Sequence, residues 1–307
     1  MLSRRHFLAA SMANAMAVPV ASSLMASPAQ ATEAKSLLID SHVHVWKHDP
    51  KYPFAEGQKV PPVDATPEML LALMKANGVS RTVIIQVIHY RWDNRYLADV
   101  LKRYPHHFKG VCRVNPEDPA NADDLSRLTE EQGFHGVRLS PAVTAAGDWI
   151  RGPLMPPLWR RCAELKVPMT ILTGAPRLPD LVPLIEQNPD LTVVIDHMAD
   201  SPLEHPEQLS MLLDLARYPK VYVKISHMWS LAKQSYPYPD AMDQVKRVFD
   251  GFGPKKLMWA TDWPICLAEL PYDKAVELYR DHFGFLSRED HEQILHKTVQ
   301  DVWSFGI

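Results

Sequence analysis

Disulfide scaffolding is absent from this sequence. Its three cysteines, Cys112, Cys162 and Cys266, are an odd number. Cys112 lies in an apolar run, Cys162 in a predicted helix and Cys266 in a late loop. Each reads as a small buried hydrophobe rather than half of a bridge, with Cys266 placed where it could line a pocket. There is no excess of one charge either. The formal net charge is −3 over 307 residues, and without Arg4 and Arg5 the remainder carries about −5. That balance gives no electrostatic case for nucleic acid as a partner. No apolar stretch beyond the first 31 residues is long enough to span a bilayer, and no internal repeat is visible.

The first 31 residues read as a targeting segment. Ser3-Arg4-Arg5-His6-Phe7-Leu8 carries a twin-arginine signature, Leu8 to Ala26 is a weakly apolar Ala-rich run, and Ala29-Gln30-Ala31 is a small-residue cleavage site. Pro19 within the run argues against a buried helix. The order of these parts predicts a bacterial signal peptide over 1–31, cleavage to a mature chain of 32–307, and a periplasmic or secreted location without stable membrane insertion after cleavage.

The mature sequence alternates short β-rich runs with amphipathic stretches. Strands are expected at Leu37–Val43, Thr82–Ile88, Phe108–Val114, Phe134–Leu139, Val167–Thr173, Thr192–Ile195, Val221–Ile225 and Lys256–Trp259. Helices are expected at Thr66–Lys75, Asn94–Tyr104, Asp123–Glu131, Leu158–Leu165, Leu178–Glu186, Pro206–Ala216, Ala241–Phe249, Tyr272–His282 and Arg288–Trp303. Thr66 before Pro67, and Ser287 before Arg288, are cap candidates. Eight alternations predict a single α/β domain, a closed (β/α)8 TIM barrel. The Gly-rich loop of an open nucleotide-binding sheet is missing after the first strand, which runs straight into His42 and His44.

Barrel enzymes work at the C-terminal ends of their strands, and polar residues gather there. His42 and His44 end the first strand, Gln86 with His89, Tyr90 and Arg91 follows the second, and Arg113 and Asn115 end the third. Arg138 and Ser140 end the fourth, His197 the sixth, Lys224 and His227 the seventh, and Asp262 the eighth. Alternation aligns Asp40, His42 and His44 on one face and sends Asp196, beside His197, to the other face as a structural residue. It also allows only one of Lys224 and His227 to face the pocket from the strand itself. His-x-His with a carboxylate suits a borderline-soft cation or an activated water. Arg138, Arg91, Arg113 and Lys224 offer donors for a carboxylate or hydroxyls. Tyr90, Trp92, Trp229, Tyr236 and Trp263 could wall a flat substrate or anchor loops.

Asp40 to Trp46 (Asp-x-His-x-His-x-Trp), Gly136-Val137-Arg138-Leu139-Ser140-Pro141, Val194-Ile195-Asp196-His197, Val223-Lys224-Ile225-Ser226 and Trp259-Ala260-Thr261-Asp262-Trp263-Pro264 resemble, in order, the amidohydrolase 2 family. More narrowly they resemble its branch of sugar-lactone and 2-pyrone-4,6-dicarboxylate lactonases, over residues 37–305. The resemblance implies that Asp262, His197, His42 and His44 are catalytic, with Asp262 activating water and the histidines binding the carbonyl or positioning an ion. Three departures stand out. Strand five, Val167 to Gly174, lacks the extra histidine of metal-dependent relatives, Ala260-Thr261 stands where relatives often have a small Gly-Ser pair, and His227 replaces a commonly small residue.

The expected reaction is opening of a cyclic ester that carries carboxylate or hydroxyl groups. Arg138, Arg91, Tyr90, Arg113, Lys224, His227 and Trp263 are the substrate-binding candidates. No cofactor is favoured. If an ion is bound, a single zinc or manganese would sit on His42, His44, Asp262 and His197. The alternatives are metal-dependent amide or ester hydrolysis, non-oxidative decarboxylation of an aromatic acid, or a barrel that binds a small ligand without turning it over. A homo-oligomer is possible.

Overall fold

A computed structural model describes residues 37–141, 143–144 and 147–306. The expected signal segment lies outside the described residues. Eight parallel strands follow one another in sequence order around a barrel: β1 Leu38–Val43, β2 Val79–Ile85, β3 Phe108–Arg113, β4 Val137–Leu139, β5 Met169–Ile171, β6 Val193–Ile195, β7 Val221–Ile225 and β8 Leu257–Trp259. These are the eight expected strands, and the fold is a (β/α)8 barrel. The seam closes beyond the end of β8. The Asp262 amide donates to the His42 carbonyl at 3.0 Å, and the His44 amide donates to the Trp263 carbonyl at 2.7 Å.

Alternation along the strands sorts two apolar layers. Val43, Cys112, Val137, Leu139, Val193, Ile195, Val223 and Trp259 pack outward against the helices. Ile39, Val83, Ile85, Val111, Val194 and Met258 point to the barrel axis, where Val299 and Trp303 of the last helical segment join them. The Trp303 ring plugs one end of the interior, 5.4 Å below the Lys224 ammonium. Gly136 makes room for it: a β-carbon there would lie 3.3 Å from the Trp303 indole nitrogen and 2.9 Å from the Pro168 carbonyl.

Thr66 caps the helix Pro67–Asn77 by accepting from the Met69 amide, and Gly78 closes it at φ 74. Ser287 caps Arg288–Glu292 by accepting from the Asp290 amide at 3.1 Å. The stretch expected as one helix from Arg288 to Trp303 is broken by a π turn at Gln293–Lys297. The indole of Trp259 donates to the Leu295 carbonyl at 2.9 Å within that turn, the kind of insertion that widens a helical ladder. A two-stranded hairpin, Val143–Thr144 with Gly147–Asp148, was not legible in the pattern and projects after β4. All three cysteines are buried free thiols.

Candidate active site

The parity of β1 breaks before its functional end. Ile39 faces the axis and Val43 faces the helices, with an irregularity in register between Asp40 and Val43. Asp40 is thereby turned away from His42 and His44, correcting the expectation that all three share a face. Its carboxylate accepts from the Thr261 hydroxyl at 2.6 Å, the Thr261 amide at 3.1 Å and the His42 amide at 3.1 Å. It braces the β1–β8 seam from outside. Burial raises it to about 7, against those hydrogen bonds.

Beyond that bulge His42 and His44 face the axis together. Their Nε2 atoms lie 3.3 Å apart. Asp262 Oδ1 lies 3.3 Å from His44 Nε2 and 3.5 Å from His42 Nε2. His44 Nδ1 donates to the Ile85 carbonyl at 2.7 Å, which leaves a lone pair on Nε2. His42 Nδ1 meets the Lys224 ammonium at 3.2 Å and Asp196 Oδ1 at 3.4 Å. Burial, helped by the Lys224 charge, lowers His42 to about 3, so its ring is neutral.

This triangle fits a divalent cation. Tetrahedral bonds of roughly 2.0–2.1 Å to nitrogen and oxygen place neighbouring ligand atoms about 3.3–3.4 Å apart. Among the described residues Asp262 Oδ1 is buried without a hydrogen-bond donor, and both imidazoles have partners on their far nitrogens, as metal-bound histidines do. The absence of a histidine on β5 therefore does not dissolve the site.

Three strands end in strained backbone. After β6, His197, Met198, Ala199 and Asp200 all take left-handed conformations, with φ of 51, 52, 55 and 42°. His227 after β7 and Asp262 after β8 do the same at φ 63 and 57°. Non-glycine residues pay roughly 1–2 kcal/mol each for that region. The turns swing side chains back over the barrel. His197 Nδ1 meets the Ser226 hydroxyl at 2.7 Å, and its ring stacks on His227 at 3.5 Å with 2° between planes. His227 bridges Asp200 Oδ1 at 3.0 Å and Asp262 Oδ2 at 2.7 Å. Burial opposes its charge, but the two carboxylates outweigh it and raise His227 to about 9. Burial would likewise raise Asp262, yet His227, His44 and His42 hold its carboxyl well below the usual range. Burial and the His227 charge keep His197 neutral.

Asp196 reverses its expectation. Val194 faces the axis, so Asp196, two residues on, does too; the left-handed turn then brings His197 to the same side. Asp196 accepts from Arg138 Nε at 3.0 Å and pairs with Lys224 at 3.0 Å. Burial works against it, and Lys224, His42 and Arg138 hold it ionised. Burial lowers Lys224 in turn, with Asp196 opposing. Lys224 and His227 both reach the axial network, one from the strand and one from the turn. Sequence reading missed Asp200 as well, since only the turn makes it a neighbour of His227.

Of the other candidates, Arg91, Arg113 and Arg138 line one cavity of about 490 Å³ with Trp92, Ser140 and Trp149. Arg138 is its link to the histidine–aspartate cluster, through Asp196 and His42. Trp149 opens a loop, Trp149–Met155, that the sequence marks as substrate-shaping without marking the residue itself as a contact. Tyr90 is no part of that wall. Its hydroxyl donates to the Lys47 carbonyl at 3.0 Å and its ring stacks on Phe54 at 5.0 Å, anchoring a loop. Trp263 packs into the outer core, and Tyr236 is held by Glu277 at 3.0 Å.

The sequence profile of the family described as amidohydrolase matches residues 39–305. An L-fucono-1,5-lactonase from Burkholderia ambifaria is 29% identical over 235 residues, 74% of this chain and 80% of that protein. A 2-pyrone-4,6-dicarboxylate hydrolase from Comamonas testosteroni is 28% identical over 238 residues, 74% of this chain and 76% of that one. The crystal structure of a putative 2-pyrone-4,6-dicarboxylic acid hydrolase from Pseudomonas putida superposes with a TM-score of 0.74 at 26% identity, covering 89% of this chain and 99% of that chain.

Proposed function

The chain belongs to the amidohydrolase family, and from that premise we propose that this enzyme hydrolyses a lactone at the C-terminal mouth of its barrel. The reading rests on one observation above the others: Asp262 presents one carboxylate oxygen, without a donor among the described residues, to the Nε2 atoms of His42 and His44. Its relatives named as lactone and pyrone hydrolases support the substrate class.

Asp262 divides its work between two oxygens. Oδ2 is anchored by His227, so Oδ1 keeps a fixed direction and accepts the proton of water as that water attacks the ester carbonyl. The rings of His42, His44 and His197 surround the same space, with His42 and His197 held neutral by burial. A donor N–H from His42 or His197 stabilises the negative charge that grows on the carbonyl oxygen. His42 has two tautomers available, since Nδ1 can accept from Lys224 or donate to Asp196. A divalent ion would be held by His42, His44 and Asp262, where it would polarise the carbonyl and acidify water.

Asp262→Asn is expected to lower kcat on any lactone substrate by about 10³-fold or more while thermal unfolding shifts little. Near wild-type turnover by the variant would defeat the assignment. Elemental analysis of protein prepared without chelator tests the ion: close to one zinc or manganese per chain, lost in a His42→Ala, His44→Ala double variant, would place a cation on the triangle, whereas active protein without one leaves Oδ1 to the water alone.

A further inference from the structure

One cation in the mouth of the barrel has no carboxylate within ion-pair distance among the described residues. Arg113, at the end of β3, is 3% exposed. Asn94 clamps its backbone from both sides, accepting its amide at 3.0 Å and donating to its carbonyl at 2.9 Å. Its guanidinium donates from Nη2 to the Ser140 hydroxyl at 3.2 Å and lies 5.6 Å from the Trp92 ring. Among the described residues its Nε has no partner, and no carboxylate forms an ion pair with it. The acid nearest in sequence on the cavity wall, Glu117, is exposed and accepts from Thr144 at 2.6 Å. Elsewhere in the interior the chain pairs its cations, with Arg138 and Lys224 both on Asp196. Burial and the neighbouring Arg138 charge push Arg113 down to about 9, against the more distant Asp196 carboxylate, which Arg138 and Lys224 already occupy; it is still a cation at neutral pH.

A buried charge left unpaired is among the most unfavourable arrangements a fold can hold. It persists where a ligand brings the opposite charge. Arg91 lines the same cavity, bonded at 2.9 Å to the Gln58 amide oxygen in the orientation that satisfies both groups. Trp92 and Trp149 supply flat apolar walls. We infer that Arg113, with Arg91 at the rim and Ser140 beside it, forms a carboxylate subsite for a flat ring-bearing anion. Resting on the lactonase reading for its chemistry, this makes the substrate a lactone with a ring carboxylate rather than an uncharged sugar lactone. Arg138, the sequence candidate for that role, is already committed to Asp196.

Calorimetric titration of the full-length protein with isophthalate and with the neutral isophthalamide tests the subsite without turnover. Wild type is expected to bind the dianion about 30-fold more tightly, the weight of charged hydrogen bonds to a guanidinium. Arg113→Met should erase that ratio and leave Tm equal or higher, because it removes an uncompensated charge. Arg113→Lys should keep only part of the ratio, lacking the fork. Equal binding of both compounds by wild type, a ratio that survives in Arg113→Met, or a Met variant that fails to fold would each overturn the inference. A matched unsaturated six-membered lactone, as carboxylate and as primary amide, separates it from the reaction assignment. Preference for the carboxylate that depends on Arg113 supports both. Turnover of uncharged lactones alone sinks the subsite and leaves the lactonase. Arg113-dependent isophthalate binding with no lactone opened sinks the lactonase and leaves the subsite.

Discussion

Replacing Asp196 by Asn would strand two cations at once. Arg138 and Lys224 both depend on that carboxylate in a region closed to water. Breaking a buried pair on one side costs about 3–5 kcal/mol, so Asp196→Asn should lower the urea midpoint by that equivalent, whereas Arg113→Met should not. Acid sensitivity follows from the same interior. His42 stays neutral in the fold down to about 3, while in the unfolded chain it charges near its ordinary value of about 6.5. Its contribution is therefore lost progressively as pH falls across that interval, at up to ~1.4 kcal/mol per pH unit, and His197 adds a loss of the same sign. Asp40 works the other way: held at about 7 in the fold, against about 3.9 unfolded, it favours the folded state more as pH drops between those values. Asp40→Asn should therefore steepen the loss of stability between pH 7 and 4, measured by urea unfolding of chelator-treated protein at each pH. An unchanged slope would mean that Asp40 does not titrate there. Residue identities at the strand ends were readable from the sequence, because charges have no place on a barrel axis without a use. Their facings were not. Asp196 and Asp40 were misassigned because period-two alternation assumes an unbroken strand, and a left-handed turn in one case and a register irregularity in the other shift the parity.

Elements were legible where packing is simple. Parallel strands buried on both faces are continuous apolar runs, and Val221–Ile225 was recovered to the residue. The helices were found through their amphipathic period and caps, with ends displaced by a few residues. What escaped were elements made by tertiary contact: the π turn under Trp259, the hairpin after β4, and the left-handed run after β6. That run gives a prediction at the same scale. Ala199 has no side-chain role beyond packing, so Ala199→Gly should relieve strain and raise stability by ~0.5–1 kcal/mol. Gly78→Ala, at φ 74 with open space around its β-carbon, should lower it by about 1 kcal/mol, since only backbone strain is involved. Guanidinium unfolding of the pair distinguishes the two signs.

At the scale of the whole molecule, the barrel is held shut from one end by its last segment. Trp303 fills space that Gly136 leaves, below Lys224. Trp303→Ala should cost about 3–5 kcal/mol, the range for emptying a large aromatic site. Because the plug abuts the charged network, the loss should be accompanied by weaker ligand binding, read by calorimetry below the unfolding transition. Barrel closure was legible from eight alternations; the plug was not, because its tryptophan reads in sequence as one more amphipathic-helix residue.

The seam between the first and last strands supplies His42 and His44 from one side and Asp262 from the other. Under the proposed assignment, catalysis is therefore a property of the finished ring alone. A nascent chain stalled before β8, or a half-barrel released by a protease, owns no working fraction of the centre, and regain of turnover during refolding should coincide with docking of the final strand rather than precede it.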